Sequence, residues 1–293
     1  VNRTGIEWCD YTWNPIVGCT HGCSFCYARR MARRQVHKCG LCGEFIPHLH
    51  PERLDQPAKL KSPRIVFCGS MGDMFDPEVR PEWRKRVWEA MAAAPQHHYV
   101  VLTKRPDLID AEELVPFARD LNFWLGVSVT RQRDWWRVNE LLLRWDCASV
   151  GDRHPFEPII SAEPLLGPIG EPVPQEVQWF IIGAQTGPGA VLPDERWVTW
   201  LELSAAGAGV PVFEKDNLRP VMTQRLMQQW PEAMVRETGG VASAAEEATV
   251  LAAVPDTPQL RPVGSHWSVD APVGYWTLHE ADEEATDDAR VVS

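Results

Sequence analysis

The chain has 293 residues, 44% of them apolar and 24% charged, with 29 basic residues against 40 acidic ones. This length and composition fit one large domain, or a domain with an appendage, that builds its core without disulfides. No apolar run reaches about 18 residues, and Val1–Asp10 carries no signal-peptide pattern, so a transmembrane helix is excluded and a cytoplasmic protein is expected.

The first patterned segment is the cysteine-rich loop Cys19–Cys26, which leads into a predicted helix over Cys26–Val36. A Cys/His-rich insert follows at about residues 37–50, within a basic stretch, Ala28–Arg64, that holds nine cationic residues against three acidic ones. Such a stretch reads either as a solvated helix face or as a seat for a phosphate-bearing partner. Beyond it, short and nearly continuous apolar runs alternate with helical segments. Strands are predicted at Arg64–Cys68, Tyr99–Thr103, Phe123–Val129, Pro158–Ala162, Trp179–Gly183 and Pro211–Glu214. Helices are predicted at Pro81–Ala94, Pro106–Leu121, Arg131–Trp145 and Arg196–Ala208; Pro81 and Pro106 suit a first helical turn. The strand–helix alternation predicts an α/β fold with about six parallel strands, whose ligand-binding loops follow the strands. Residues 1–234 are expected to form this domain, and 235–293 an acidic, partly disordered extension. Within the extension a weak helix is predicted over Val241–Val254, a hairpin or docking strand over Trp267–Leu278, and disorder over Glu280–Ser293.

Five of the eight cysteines fall between Cys19 and Cys42. Clustering of this kind without a secretory signal reads as metal ligation rather than disulfide pairing. Cys68 and Cys147 lie in apolar surroundings and read as small core residues. Cys19, Cys23 and Cys26 form a C-x3-C-x2-C triad. Three thiolates on a compact loop can hold three irons of a 4Fe-4S cluster and leave the fourth iron open. Gly18 and Gly22 let the loop wrap, and the helix after Cys26 turns its positive end toward an anionic cluster. The competing reading is a structural zinc site, for which His21 is an awkwardly placed fourth ligand.

With Phe25 just before the third cysteine and Tyr27 just after it, the motif resembles the radical S-adenosylmethionine superfamily. IEWCDYTWNPIVGC, HPERLDQP, GSMGDMFD, LTKRPDLI, WLGVSVT, SAEPLLGPIG and IIGAQTGPGA further resemble a phage- and bacteria-associated group of radical-SAM-like proteins, largely of unknown function, over roughly Thr4–Asn217. The resemblance implies a partial (β/α) TIM-like barrel with the cluster loop after its first strand. It also implies a 4Fe-4S cluster whose open iron is chelated by S-adenosylmethionine, and reductive cleavage of that cofactor to a radical that abstracts hydrogen from a substrate. An electron donor such as flavodoxin or ferredoxin follows as a partner. The loop after the second strand then takes the methionine ammonium, a place held here by Gly69, Ser70, Gly72 and Asp73. Asp73 departs from the usual Gly-Gly-Glu pattern and reads alternatively as a turn cap. Ser128 is a candidate for the carboxylate or ribose. Glu163 is a candidate for ribose or substrate, or else for a salt bridge to Lys104 or Arg105. Lys104 and Arg105 suit the carboxylate or a substrate phosphate. Gln185 and Thr186 suit adenine or substrate, and Lys215 the barrel mouth.

Cys39 and Cys42 form a C-x2-C knuckle with His37, His48 and His50 nearby. Two thiolates and two imidazoles, with His48 and His50 completing the set, would make a tetrahedral zinc site; the alternatives are free thiols and a substrate role for the HPERL loop. Trp8 and Trp13 are candidates for stacking on adenine, a nucleobase or the cluster surround, whereas Trp135 and Trp136 read as core and helix-face residues. For hydrogen-atom donation Cys9, Cys68 and Cys147 are candidates. The leading functional expectation is a radical enzyme that modifies or repairs a nucleic acid (DNA or RNA) or a nucleotide. A radical enzyme for a small metabolite or peptide and a non-catalytic zinc-containing nucleic-acid-binding protein are the alternatives.

Overall fold

The apolar runs of the sequence pair into one curled, mostly parallel sheet. In chain order the strands are β1 (Asn2–Arg3), β2 (Tyr11–Trp13), the short pair β3 (Ile16–Val17) and β4 (His48–Leu49), then β5 (Ile65–Cys68), β6 (His98–Thr103), β7 (Asn122–Ser128), β8 (Glu157–Ala162), β9 (Trp179–Ile182) and β10 (Val212–Glu214). The main sheet has eight strands in the order β1-β2-β5-β6-β7-β8-β9-β10. Only the β1–β2 pair is antiparallel; every later pairing is parallel. The sheet curls into a half-barrel. The six predicted strands are present with small shifts in their ends, and Tyr11–Trp13 adds a parallel strand beside β5. A run of three residues is too short to show a period. β3 and β4 form their own small antiparallel sheet. This computed structural model describes residues 1–35, 39–117, 122–147, 154–238, 260–263 and 266–269.

The helices are α1 (Tyr27–Ala32), α2 (Gly40–Glu44), α3 (Pro81–Ala92), α4 (Trp136–Cys147), α5 (Glu195–Gly207) and α6 (Glu232–Thr238). Two differ from expectation. The helix expected over Cys26–Val36 ends at Ala32 and continues as a 3-10 turn, Arg33–Gln35. The helix expected over Pro106–Leu121 is replaced by three 3-10 turns, at Pro106–Leu108, Ala111–Glu113 and Val115–Phe117. Pro116 lacks the N–H that a continuous helix needs, and the Asp110 carboxylate takes the Glu112 amide at 3.1 Å. α5 begins where expected because Asp194 caps it, accepting from the Arg196 amide at 2.9 Å.

Side chains alternate between the two faces along each parallel strand, as a period of two requires, and both faces are buried. Val66, Val101, Leu125, Ile160, Phe180 and Val212 point to the helices, where Trp88, Leu141 and Leu201 close over them. Ile65, Phe67, Val100, Trp124, Ile159, Trp179, Ile181 and Phe213 point to the opposite face, which Trp8 and Met234 fill. Each such side chain contributes about 1.5–3 kcal/mol by leaving water. Trp8 packs 4.9 Å from Phe67 and 5.8 Å from Trp179, so this face is plugged by aromatic rings. Gly126 is required in β7, because a Cβ there would lie 2.7 Å from the Ile159 carbonyl oxygen.

By compactness the chain divides into two units, Val1–Ala244 and Ala245–Ser293. In the second, β11 (Leu260–Val263) pairs antiparallel with β12 (His266–Val269). This hairpin covers the start of the expected Trp267–Leu278, and residues 270–278 lie outside the described residues. The expected helix Val241–Val254 and disordered end Glu280–Ser293 lie outside the described residues. Among the described residues no helix is long and apolar enough to cross a membrane.

Candidate metal and cofactor site

The ends of the parallel strands carry Asp73, Lys104, Ser128, Glu163 and Lys215 among the residues singled out in the sequence. The triad loop follows β3. Its approach is fixed at Gly18, whose φ is +99° and where a Cβ would sit 2.4 Å from the backbone of Ile46. The Gly18 amide donates to the Met71 carbonyl at 3.0 Å, and the Cys19 amide to the Phe45 carbonyl at 3.2 Å. Thr20 fastens the loop to the turn after β5 by donating its amide and hydroxyl to one oxygen of Asp76, at 2.6 and 2.8 Å. Arg29 donates to the Cys19 carbonyl at 2.9 Å and lies over the Phe45 ring.

Two triad sulfurs accept backbone N–H groups: Cys19 Sγ from His21 at 3.4 Å, and Cys26 Sγ from Arg29 at 3.3 Å, where Cys26 caps α1. Burial pushes the Cys19 thiol up to about 12 and also raises Cys23, against the pull of the nearby Lys104 charge. A metal would reverse this, since a coordinated thiol loses its proton outright.

A second group is drawn tighter. The ligand atoms of Cys39, Cys42, His48 and His50 all lie within 4.8 Å of one another. His48 Nε2 is 3.5 Å from both sulfurs, and His50 Nε2 is 3.2 Å from Cys42 Sγ. Zinc bonds of about 2.3 Å to sulfur and 2.0–2.1 Å to nitrogen, spread tetrahedrally, separate S and N by about 3.5 Å. The other ring nitrogens are held from behind: His48 Nδ1 meets the Ile46 carbonyl at 2.7 Å, and His50 Nδ1 the Glu52 carboxylate at 2.8 Å. Such outer partners fix the tautomer that leaves Nε2 free to bind metal. This Cys2His2 group can therefore bind a metal such as zinc. His37 lies outside the described residues. Among the described residues the triad thiols do not form another group this close; thiolates of a cubane bind different irons and stand further apart than ligands of one ion.

Around the mouth, Gly69 (φ +89°) starts the turn after β5, and Gly72 forms a bridge with Gly18. The Ser70 carbonyl accepts from the Tyr27 hydroxyl at 2.6 Å. Asp73 is buried and accepts three bonds: from Phe75 N at 3.0 Å and Thr103 Oγ1 at 2.7 Å on one oxygen, and from Lys104 N at 3.0 Å on the other. It caps its own turn and ties the ends of β5 and β6 together. Ser128 is buried at the end of β7, and its carbonyl accepts from Arg137. Glu163 pairs with Lys215, not with Lys104 or Arg105, and Glu7 lies 3.7 Å from the same ammonium. The two carboxylates outweigh the burial of Lys215 and raise its pKa. Lys104 faces the Phe25 ring at 6.0 Å. Arg105 is held by Asp107 at 3.0 Å. Gln185 closes its own loop by accepting from Val191 N at 3.2 Å, and the Thr186 carbonyl takes Arg30 at 3.1 Å.

Two expectations are corrected. Trp8 and Trp13 are each 1% exposed, so neither offers a face to a base; both serve the core. Cys147 is exposed at the end of α4 rather than buried. Cys68 faces the helices, whereas Cys9 packs on the face that carries Trp8 and Phe67. Residues the sequence did not single out include Asn14, which takes the Met71 amide at 2.8 Å, and Arg131, Arg133 and Arg137, in the turn before α4 and in its first turn.

A family model described as "Protein of unknown function (DUF5131)" matches residues 3–241. No curated protein and no solved structure matches the chain.

Proposed function

The chain belongs to the DUF5131 family of proteins of unknown function, and from that premise we propose that it is a radical S-adenosylmethionine enzyme that modifies or repairs a nucleic acid or nucleotide. The observation that carries the reading is the C-x3-C-x2-C loop of Cys19, Cys23 and Cys26, seated at the C-terminal ends of parallel strands with N–H groups on two of its sulfurs. In this reading the curled sheet is a partial TIM-like barrel and the triad holds a 4Fe-4S cluster. Bound there, cluster and S-adenosylmethionine supply one-electron cleavage and hydrogen abstraction.

The chain's own residues supply position and shielding. The three thiolates hold iron, and N–H bonds to their sulfurs tune its potential. Arg29, Thr20 and Gly18 hold the loop rigid. Asp73 Oδ1 already accepts two bonds, whereas Asp73 Oδ2 and the carbonyls of Gly69, Ser70 and Met71 accept one each, so these four oxygens keep a lone pair for the cofactor's ammonium. Glu163 and Lys215 form a charge-balanced, half-sheltered pair at the mouth, suited to orient a polar substrate. Cys9, buried on the inner face and within the field of Lys215 and Glu163, fits hydrogen-atom donation better than Cys68 or Cys147. Reduced thiols and a flavodoxin or ferredoxin donor suit a cytoplasmic setting.

The Cys2His2 group favours one alternative, a non-catalytic zinc protein that binds nucleic acid. Dithionite reduction of anaerobically reconstituted protein with S-adenosylmethionine separates the two. The radical reading expects 5′-deoxyadenosine, abolished in a Cys19/Cys23/Cys26→Ala variant. Zinc-replete protein that makes none under any reductant would sink it.

A further inference from the structure

A cavity opens between the triad loop and the ends of β6 and β7. Its wall carries Phe25 from the loop, then Lys104, Arg131, Arg133, Arg137 and Asp134. Four cations thus face one carboxylate, in a chain whose net charge is −11. That carboxylate is already spent: Asp134 pairs with Arg137 at 3.2 Å and accepts the Thr130 amide and hydroxyl at 2.9 and 2.6 Å. Arg137 is only 7% exposed and gives Nη1 to the Ser128 carbonyl at 2.9 Å, yet its Nε is buried without a hydrogen-bond partner. The Nε of Arg131 is buried and unpartnered as well. A buried donor without an acceptor is costly, and a guanidinium donor more so. An oxyanion in the cavity sets negative charge beside both guanidiniums and so offsets part of that cost. A zwitterionic amino-acid group would need one cation and a free acceptor for its ammonium, whereas this wall has four cations and no carboxylate to spare.

We propose that this cavity binds a phosphate group of the substrate, placed beside the triad by Lys104, Arg131, Arg133 and Arg137. Only the statement that the ligand is the substrate rests on the radical-enzyme reading; the phosphate site itself does not. Arginine forks suit tetrahedral oxyanions, and three of them around one cavity give both charge and orientation.

Binding of a fluorescein-labelled single-stranded oligonucleotide to the full-length protein, titrated against salt, tests the site without reductant or turnover. Its result is therefore independent of whether 5′-deoxyadenosine forms. Arg131→Gln with Arg133→Gln is expected to weaken binding about tenfold. The salt slope should fall by about 0.7 for each phosphate that the variant no longer neutralises. Inorganic phosphate should compete with the oligonucleotide. A 5′-mononucleotide that competes as well as the polymer points to a nucleotide ligand and one that competes poorly to a strand; both support a phosphate site. Arg133 is exposed, so Arg133→Gln alone keeps the test open if the double variant misfolds. Unchanged affinity and salt slope in folded variants would overturn the proposal. So would loss of S-adenosylmethionine binding by equilibrium dialysis in the same variants, which would make the cavity a seat for the methionine carboxylate.

Discussion

Glu214 is fully buried at the end of β10, with one carboxyl oxygen on the Met227 amide at 2.9 Å and the other without a partner. Burial, with Glu202 adding to it, pushes its pKa up from 4.5 to about 7. Below the lower value both folded and unfolded chains hold the proton, and the group costs nothing. As pH rises toward the upper value the unfolded chain ionises first, so stability falls by about 2–4 kcal/mol and then levels off. Glu214→Gln should leave the melting temperature almost unchanged below pH 4.5 and raise it at pH 8; thermal melts at the two pH values that move in parallel would contradict this. The Glu163–Lys215 pair behaves differently, because removing one partner strands the other. Glu163→Gln leaves Lys215 with Glu7 at 3.7 Å and should cost on the order of 2 kcal/mol in urea unfolding. Adding Lys215→Met should recover part of that loss, a non-additivity that a double-mutant cycle reads directly. The sequence places Lys215 at the mouth and offers Glu163 a salt bridge, but neither their pairing nor the full burial of Glu214 is legible there.

The strap that joins the two cysteine groups acts at the level of elements. Gly18 and Cys19 lie against Phe45 and Ile46, and β3 pairs with β4, which carries His48. A metal on Cys39, Cys42, His48 and His50 would therefore stiffen the segment that positions the triad. Cys42→Ser is expected to lose zinc and, with the triad intact, to lower the iron retained after reconstitution severalfold. Full iron in a zinc-free variant would show the two groups to be independent. Gly18→Ala should be more severe, because its Cβ has no room against backbone at 2.4 Å. Much at this level is readable from the residues alone. The parallel strands are buried on both faces, so each appears as a continuous apolar run, and the C-x2-C knuckle has ligand spacing that needs no tertiary knowledge. The helix expected over Pro106–Leu121 does not form because Pro116 and the Asp110 side chain outweigh the helical period. β2 escapes notice because its pairing with β5, rather than its own three residues, makes it a strand.

For the whole molecule, the curled parallel sheet brings loops separated by some two hundred residues in sequence to one end, so that Cys19, Asp73, Lys104, Ser128, Glu163 and Lys215 all follow strand ends. The strand–loop rule makes that gathering predictable. The partners within it are not: Glu163 faces Lys215, Asp73 braces the end of β6, and Arg131 and Arg133 from the turn before α4, with Arg137 from α4, line the cavity beside Phe25. These depend on side-chain reach across loops, which spacing along the chain does not encode. The proposal turns on whether the triad, distinct from the Cys2His2 group, carries iron. Iron, sulfide and zinc are to be counted per chain in the anaerobically reconstituted protein and in its Cys19/Cys23/Cys26→Ala variant. The expected result is about four irons and one zinc in the first, and zinc alone in the second. Wild-type protein that holds zinc but no iron, or a triple variant that keeps its iron, would contradict it.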